Sequence, residues 1–320
     1  MSITGIDRVT FGVEDVAACK TFFLDFGLKL IGEAAQSLDF ETLNGCEVRI
    51  RHKDDAILPP AIEEGSTVRE VIWSAESEAD LDQLRPRMKG ASGFRDENGI
   101  LYAVDPNGLT IGVRRSHKRA VEVRGAPTNT YDKAHRIDEA SPIYERAEPI
   151  EVGHVVFFTD RLAEVTRFYE EIGFCMSDRY PGRGHFLRTS QRGGHHDMFL
   201  LQTPDAKPGL NHVAFAVRDL HEVFGGGMHM SRCGHETQLG PGKHPVSSAF
   251  FWYFKNPAGA LVEYYADEDV LTEKWTPRDF TPGPTVFAEW AIAGGIDGVT
   301  RRQKQPGPPA QDGKFITDKR

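Results

Sequence analysis

Cysteine is scarce in this sequence: Cys19, Cys46, Cys175 and Cys233 are the only four in 320 residues. They are scattered and show no C-x-x-C spacing. That excludes a disulfide-dense secreted scaffold and a cysteine-based zinc module, and the four read as reduced, mostly buried thiols of a cytoplasmic protein. Long hydrophobic runs are missing too. Nothing approaches the roughly 20 apolar residues that cross a bilayer, and the stretch 286–296 is short and broken by Glu289. No membrane partner is expected. The opening Met1 to Ile6 lacks the basic-then-apolar pattern of a secretory signal. Positive charge is also in deficit, with 38 Lys and Arg against 47 Asp and Glu, a formal net charge of −9. That argues against a nucleic-acid backbone as partner. What remains is a globular composition, 39% hydrophobic and 27% charged, on a chain long enough for two cores.

The chain repeats itself. Ile6-Asp7-Arg8-Val9-Thr10-Phe11 leads into an amphipathic segment that ends at Gly27. Val152-Gly153-His154-Val155-Val156-Phe157 leads into another that ends at Gly173, and Arg8 and His154 are offset by 154 − 8 = 146 residues. Each pattern predicts a strand, then a helix stopped by a left-handed glycine. Glu70 to Ala75 pairs in the same way with His212 to Val217, and each run precedes an acidic, helix-like stretch. Both halves close on strand–turn–strand text around Asp105-Pro106-Asn107-Gly108 and Asn256-Pro257-Ala258-Gly259, whose Pro and Gly suit a tight turn. The prediction is an α+β chain of four units, each a strand, a helix and several strands, in mainly antiparallel sheets. The expected divisions are a first pair of units over 1–115, a connector over 116–148, a second pair over 149–268, and an extension over 269–320. The polar, proline-containing stretch Arg301 to Arg320 reads as a loosely ordered or partner-draped tail.

The repeat allows the halves to be compared position by position. His154, His212 and Glu263 occupy equivalent places in the second half, where the first half has Arg8, Glu70 and Gly112. Both halves share the demands of one fold, so folding does not explain three ligand-type residues on one side only. Two histidines and a carboxylate form the facial set that holds Fe(II) and leaves positions open for substrate and O₂. The pair His195-His196 precedes the apolar run Met198 to Leu201, so one of the two can face a pocket. His229 and His235 lie in a glycine-rich region with no carboxylate at ligand spacing, and read as surface histidines.

The stretch from His244 to Glu263 resembles the signature of type I extradiol ring-cleavage dioxygenases of the vicinal oxygen chelate superfamily. The fixed positions are His244, Tyr253, Asn256, Pro257, Gly259 and Glu263, and the similarity covers roughly residues 4 to 268. One departure is Trp252, where the family usually has an aliphatic residue or Phe. The resemblance implies two tandem domains of paired βαβββ units, with the metal in the C-terminal one. It implies His154, His212 and Glu263 as ligands of Fe(II), with Mn(II) as the alternative. It makes His196 the acid–base residue, with His195 the second choice, and sets His244 and Tyr253 beside substrate or oxygen. The substrate would be a catechol-type ring opened by O₂ in aromatic catabolism, and the protein a homo-oligomer. Relatives that take carboxylated catechols carry an amide two residues after the first histidine ligand. Val156 stands here, which points to an uncharged catechol, in a pocket that Phe186, Phe250, Phe251 and Trp252 could line. Two other readings remain open: a glyoxalase-like isomerase or lyase of the same superfamily, and a small-molecule binding protein without catalysis.

Overall fold

The computed structural model describes residues 3–205, 207–281 and 283–293, so the tail at 301–320 lies outside the described residues. The first half runs β1 (Ile3–Val13), α1 (Val16–Asp25), β2 (Lys29–Ala34), β3 (Ser37–Glu41), β4 (Glu47–His52), β5 (Thr67–Ala75), α2 (Glu78–Met88), β6 (Arg95–Glu97), β7 (Ile100–Val104) and β8 (Thr110–Arg115). The second half repeats that order with β9 (Glu151–Phe158), α3 (Leu162–Glu171), β10 (Cys175–Tyr180), β11 (Gly184–Arg188), β12 (Met198–Leu201), β13 (Gly209–Ala216), α4 (Leu220–Arg232), β14 (Thr237–Lys243), β15 (Phe250–Lys255) and β16 (Leu261–Ala266). Three short elements follow: β17 (Arg278–Asp279), α5 (Pro284–Phe287) and β18 (Trp290–Ala293).

Each half is therefore a strand, a helix and three strands, twice over. The first half forms a sheet of order β2-β3-β4-β1-β5-β8-β7-β6. The second forms β17-β10-β11-β12-β9-β13-β16-β15-β14-β18, so the C-terminal extension adds a strand at each edge. Within a unit the first and last strands pair in parallel, and the remaining neighbours are antiparallel. None of the helices described is long and apolar enough to cross a membrane.

Local chemistry sets the element ends. Asp15, Ser77 and Asp219 each accept a backbone N–H from the first turn of α1, α2 and α4. The predicted closing turn is held by Asp105, whose Oδ1 accepts the backbone N–H groups of Asn107 and Leu109, both at 2.9 Å. One hydrophobic core runs through both halves. At their junction Phe26 stacks on Tyr264 with centroids 4.1 Å apart, and the Tyr264 hydroxyl donates to the Phe26 carbonyl at 2.7 Å. Trp73 of the first half meets Tyr169 and Phe174 of the second edge-on. The glycine-rich run belongs to α4, where a Cβ on Gly227 would sit 2.0 Å from the Trp252 ring. Trp252 therefore packs against a helix surface without side chains, and its indole N–H reaches Thr237 at 3.0 Å.

Two expectations need correction. Of the four thiols, Cys19 and Cys46 are buried, but Cys175 is half-buried and Cys233 exposed. Of the four aromatic residues offered as a pocket wall, only Phe186 lines the cavity described below. Side chains alternate along β15, so Phe251 and Tyr253 share a face while Trp252 and Phe254 turn towards the core side.

Candidate metal centre

The strand registers put the three proposed ligands on one face of the second sheet. His154 on β9 pairs with Ala214 on β13, Ala214 with Glu263 on β16, and Glu263 with Tyr253 on β15. Directly paired residues point the same way, and His212 lies two residues before Ala214, so it shares that face. The small Ala214 side chain leaves room between the larger ones.

The donor atoms converge. His154 Nε2 lies 3.2 Å from His212 Nε2, and each lies 3.2 Å from Glu263 Oε2. Two donors about 2.1 Å from one ion at right angles stand roughly 3 Å apart, so the spacing suits a shared divalent cation. All three side chains are buried, and neither Glu263 oxygen has a hydrogen-bond partner. A buried carboxylate that accepts no well-formed hydrogen bond is costly unless positive charge meets it. Burial disfavours a charged Glu263, but His154, His212 and His244 overcome it and hold the carboxyl well below its ordinary range. Burial, reinforced by His196, depresses His154 to about 3, and burial likewise lowers His212. Both rings are thus neutral near pH 7, the form that binds metal. The Nδ1 of His212 lies 2.7 Å from Asn211 Oδ1, which fixes the ring with Nε2 facing the site.

The equivalent place in the first half is closed. Arg8 and Glu70 form a buried ion pair at 3.0 Å there. A Cβ on Gly112 would lie 2.5 Å from Ile72 Cδ1 and 2.8 Å from Ile100 Cγ2, so apolar side chains fill the space where a ligand would stand.

A cavity opens over the three residues, also lined by His196, His244, Tyr253 and Glu268, with Val156, Tyr180, Phe186, Phe199, Val246 and Phe287 among its apolar walls. The two neighbouring histidines separate cleanly. His196 lines the cavity, with its ring centroid 4.1 Å from that of His154. His195 is fully buried behind it, its Nε2 2.8 Å from Asp178 Oδ2, and Asp178 is also bound by Arg278 at 2.6 Å. The two histidines face each other through Nδ1 atoms 3.2 Å apart. His244 Nε2 lies 3.0 Å from the Tyr253 hydroxyl. Burial, then Glu263, pushes the Tyr253 phenol well above its ordinary range, so it remains a donor.

Sequence reasoning missed Glu268 and Phe287. Glu268 Oε1 is buried without a hydrogen-bond partner and lies 3.2 Å from His196 Nδ1. It follows the closing strand by two residues and has no motif of its own. Phe287 arrives on α5 from the extension, where no repeat existed to read it against.

The two sheets of βαβββ units are the fold of vicinal-oxygen-chelate dioxygenases. Residues 151–264 match the model of the Glyoxalase/Bleomycin resistance protein/Dioxygenase superfamily. The chain is 27% identical to Metapyrocatechase 2 of Cupriavidus necator over 308 residues, covering 90% of this chain and 89% of that protein. Among solved structures it superposes on the Mn(II)-bound glyoxalase from Novosphingobium aromaticivorans with a TM-score of 0.72 at 24% identity, covering 96% and 97% of the two chains. It also superposes on a catechol 2,3-dioxygenase, with a TM-score of 0.69 at 16% identity and coverage of 94% and 99%.

Proposed function

We propose that the protein is an extradiol dioxygenase, opening a catechol-type ring with O₂ at a divalent metal held by His154, His212 and Glu263. The observation that carries this is the convergence of those three buried donors beneath a cavity that also presents His196, His244 and Tyr253. The similarity to Metapyrocatechase 2 supports it. Fe(II) suits the donor set, and so does Mn(II).

When bound, the metal supplies Lewis acidity to the catechol oxygens and a place for O₂ beside them. The protein supplies the rest. Apolar walls of Val156, Phe186 and Phe199 hold the ring and keep water out, which strengthens every hydrogen bond inside. His196 stands where it can take a proton from the substrate and return it. The Tyr253 hydroxyl and His244 hydrogen-bond the oxygen on which charge develops. Among the described residues the cavity is lined by no Lys or Arg that would pair with a substrate carboxylate, and Glu268 would repel one, which agrees with an uncharged catechol. The resemblance further implies a homo-oligomer, which sedimentation would test.

The deciding experiment is O₂ uptake by protein reconstituted anaerobically with Fe(II), against a panel of catechols and dihydroxybiphenyls. Uptake with a yellow ring-opened product is the expected result. The likeness to a Mn(II)-bound glyoxalase favours a second reading, an isomerase or lyase on the same fold. Bound metal with no uptake across the panel would overturn the first reading and favour the second.

A further inference from the structure

The junction between the halves holds a second set of metal-type donors, remote in sequence from the first. Asp25 is the last residue of α1, and His229 and Cys233 lie one turn apart at the end of α4. One donor atom from each of the three falls within 4.8 Å of the others. Cys233 Sγ lies 3.5 Å from His229 Nε2, the pairing that an i, i+4 spacing gives on a helix. His229 and His235 were expected to lack a carboxylate partner. Asp25 reaches His235 from 210 positions away in the chain, on the other half of the molecule, and lies beside His229 as well.

Two further features point to a cation. Asp25 Oδ2 is held 2.8 Å from His235 Nε2, and the His235 ring is braced edge-on by Phe22 with centroids 4.9 Å apart. A carboxylate fixed by a neighbouring imidazole is the usual support for a ligand. Both α1 and α4 also end here, and the C-terminal end of a helix favours positive charge. The groups near His229 that oppose positive charge are Arg146, Arg232 and His235. Arg232 is already engaged, its Nη2 donating to the Glu145 carbonyl at 3.0 Å.

We propose that Asp25, His229 and Cys233 form a second divalent-metal site, with His235 as the residue that positions Asp25. One sulfur, one nitrogen and one oxygen donor suit a borderline-soft ion such as Zn(II), whereas the two-histidine, one-carboxylate set suits Fe(II) or Mn(II). An ion here ties α1 of one half to α4 of the other.

Cobalt(II) tests this directly, because only a cysteine-ligated ion gives a sulfur-to-cobalt charge-transfer band in the near ultraviolet. The reduced full-length protein, stripped of metal and titrated with Co(II), should develop that band, and Zn(II) should displace it. C233S should abolish the band, and the exposed position lets serine in without disturbing the core. D25N and H229A should weaken Co(II) binding at the band by roughly a hundredfold, and H235A by about tenfold. H154A should leave the band intact, which separates this site from the other. No charge-transfer band at saturating Co(II), or an undiminished band in C233S, would overturn the proposal.

Discussion

The His244 ring is held at both nitrogens: Nδ1 lies 2.7 Å from the Phe287 carbonyl oxygen and Nε2 lies 3.0 Å from the Tyr253 hydroxyl. A carbonyl only accepts, so a proton sits on Nδ1, and Nε2 is turned towards the Tyr253 hydroxyl. The C-terminal extension thus sets the tautomer of a residue in the cavity. Tyr253→Phe removes the hydroxyl and leaves the three proposed metal ligands untouched. It should retain metal and lower kcat by roughly tenfold to a hundredfold. Metal content measured alongside turnover checks this, and an unchanged kcat would remove Tyr253 from the chemistry.

His154→Ala should lose bound metal and activity together. The three donors share one point, and removing one leaves an incomplete facial set around the Glu263 carboxylate. Elemental analysis of protein reconstituted with Fe(II) is the measurement. Full activity in this variant would sink the assignment of His154 as a ligand.

His196 lines the cavity whereas His195 is buried behind it against Asp178, so their substitution should have unequal effects. His196→Phe should keep metal and slow turnover by about a hundredfold or more, because the cavity loses the residue proposed to carry the proton. His195→Asn should act indirectly, through the Asp178 contact and the support given to His196, and cost less. Steady-state kcat with matched metal content decides the matter. A larger loss in His195→Asn would transfer the acid–base role.

The repeat explains how much of this was legible beforehand. Strand and helix order, the closing turns and the alignment of Arg8 with His154, Glu70 with His212 and Gly112 with Glu263 all follow from matched text. The observed registers place each pair at the same point of its sheet. Composition could not show which aromatic residues reach the cavity. Phe251 and Trp252 adjoin Tyr253 in sequence, yet one stacks on His244 at 4.0 Å and the other packs on α4. Nor could spacing reveal contacts made by chain with no repeat partner, such as Phe287 on His244 or Arg278 on Asp178. The same limit hid Asp25 beside His235, since that contact depends on how the halves pack.

Asp105 closes a turn at the boundary between the halves, accepting the Tyr169 hydroxyl at 3.0 Å as well as two backbone N–H groups. Burial pushes its carboxyl up to about 6 from an ordinary 3.8, against those hydrogen bonds. Between pH 3.8 and about 6 the folded protein therefore holds a proton that the unfolded chain has lost. Stability from this group is greatest below 3.8 and is lost as pH rises through 6. A displacement from 3.8 to about 6, at roughly 1.4 kcal/mol per pH unit, amounts to on the order of 3 kcal/mol. Asp105→Asn has no such proton to lose. Urea unfolding of both proteins from pH 4 to pH 7 should show the wild type losing ground to the variant as pH rises. A difference that stays constant across that range would mean the carboxyl titrates normally in the fold.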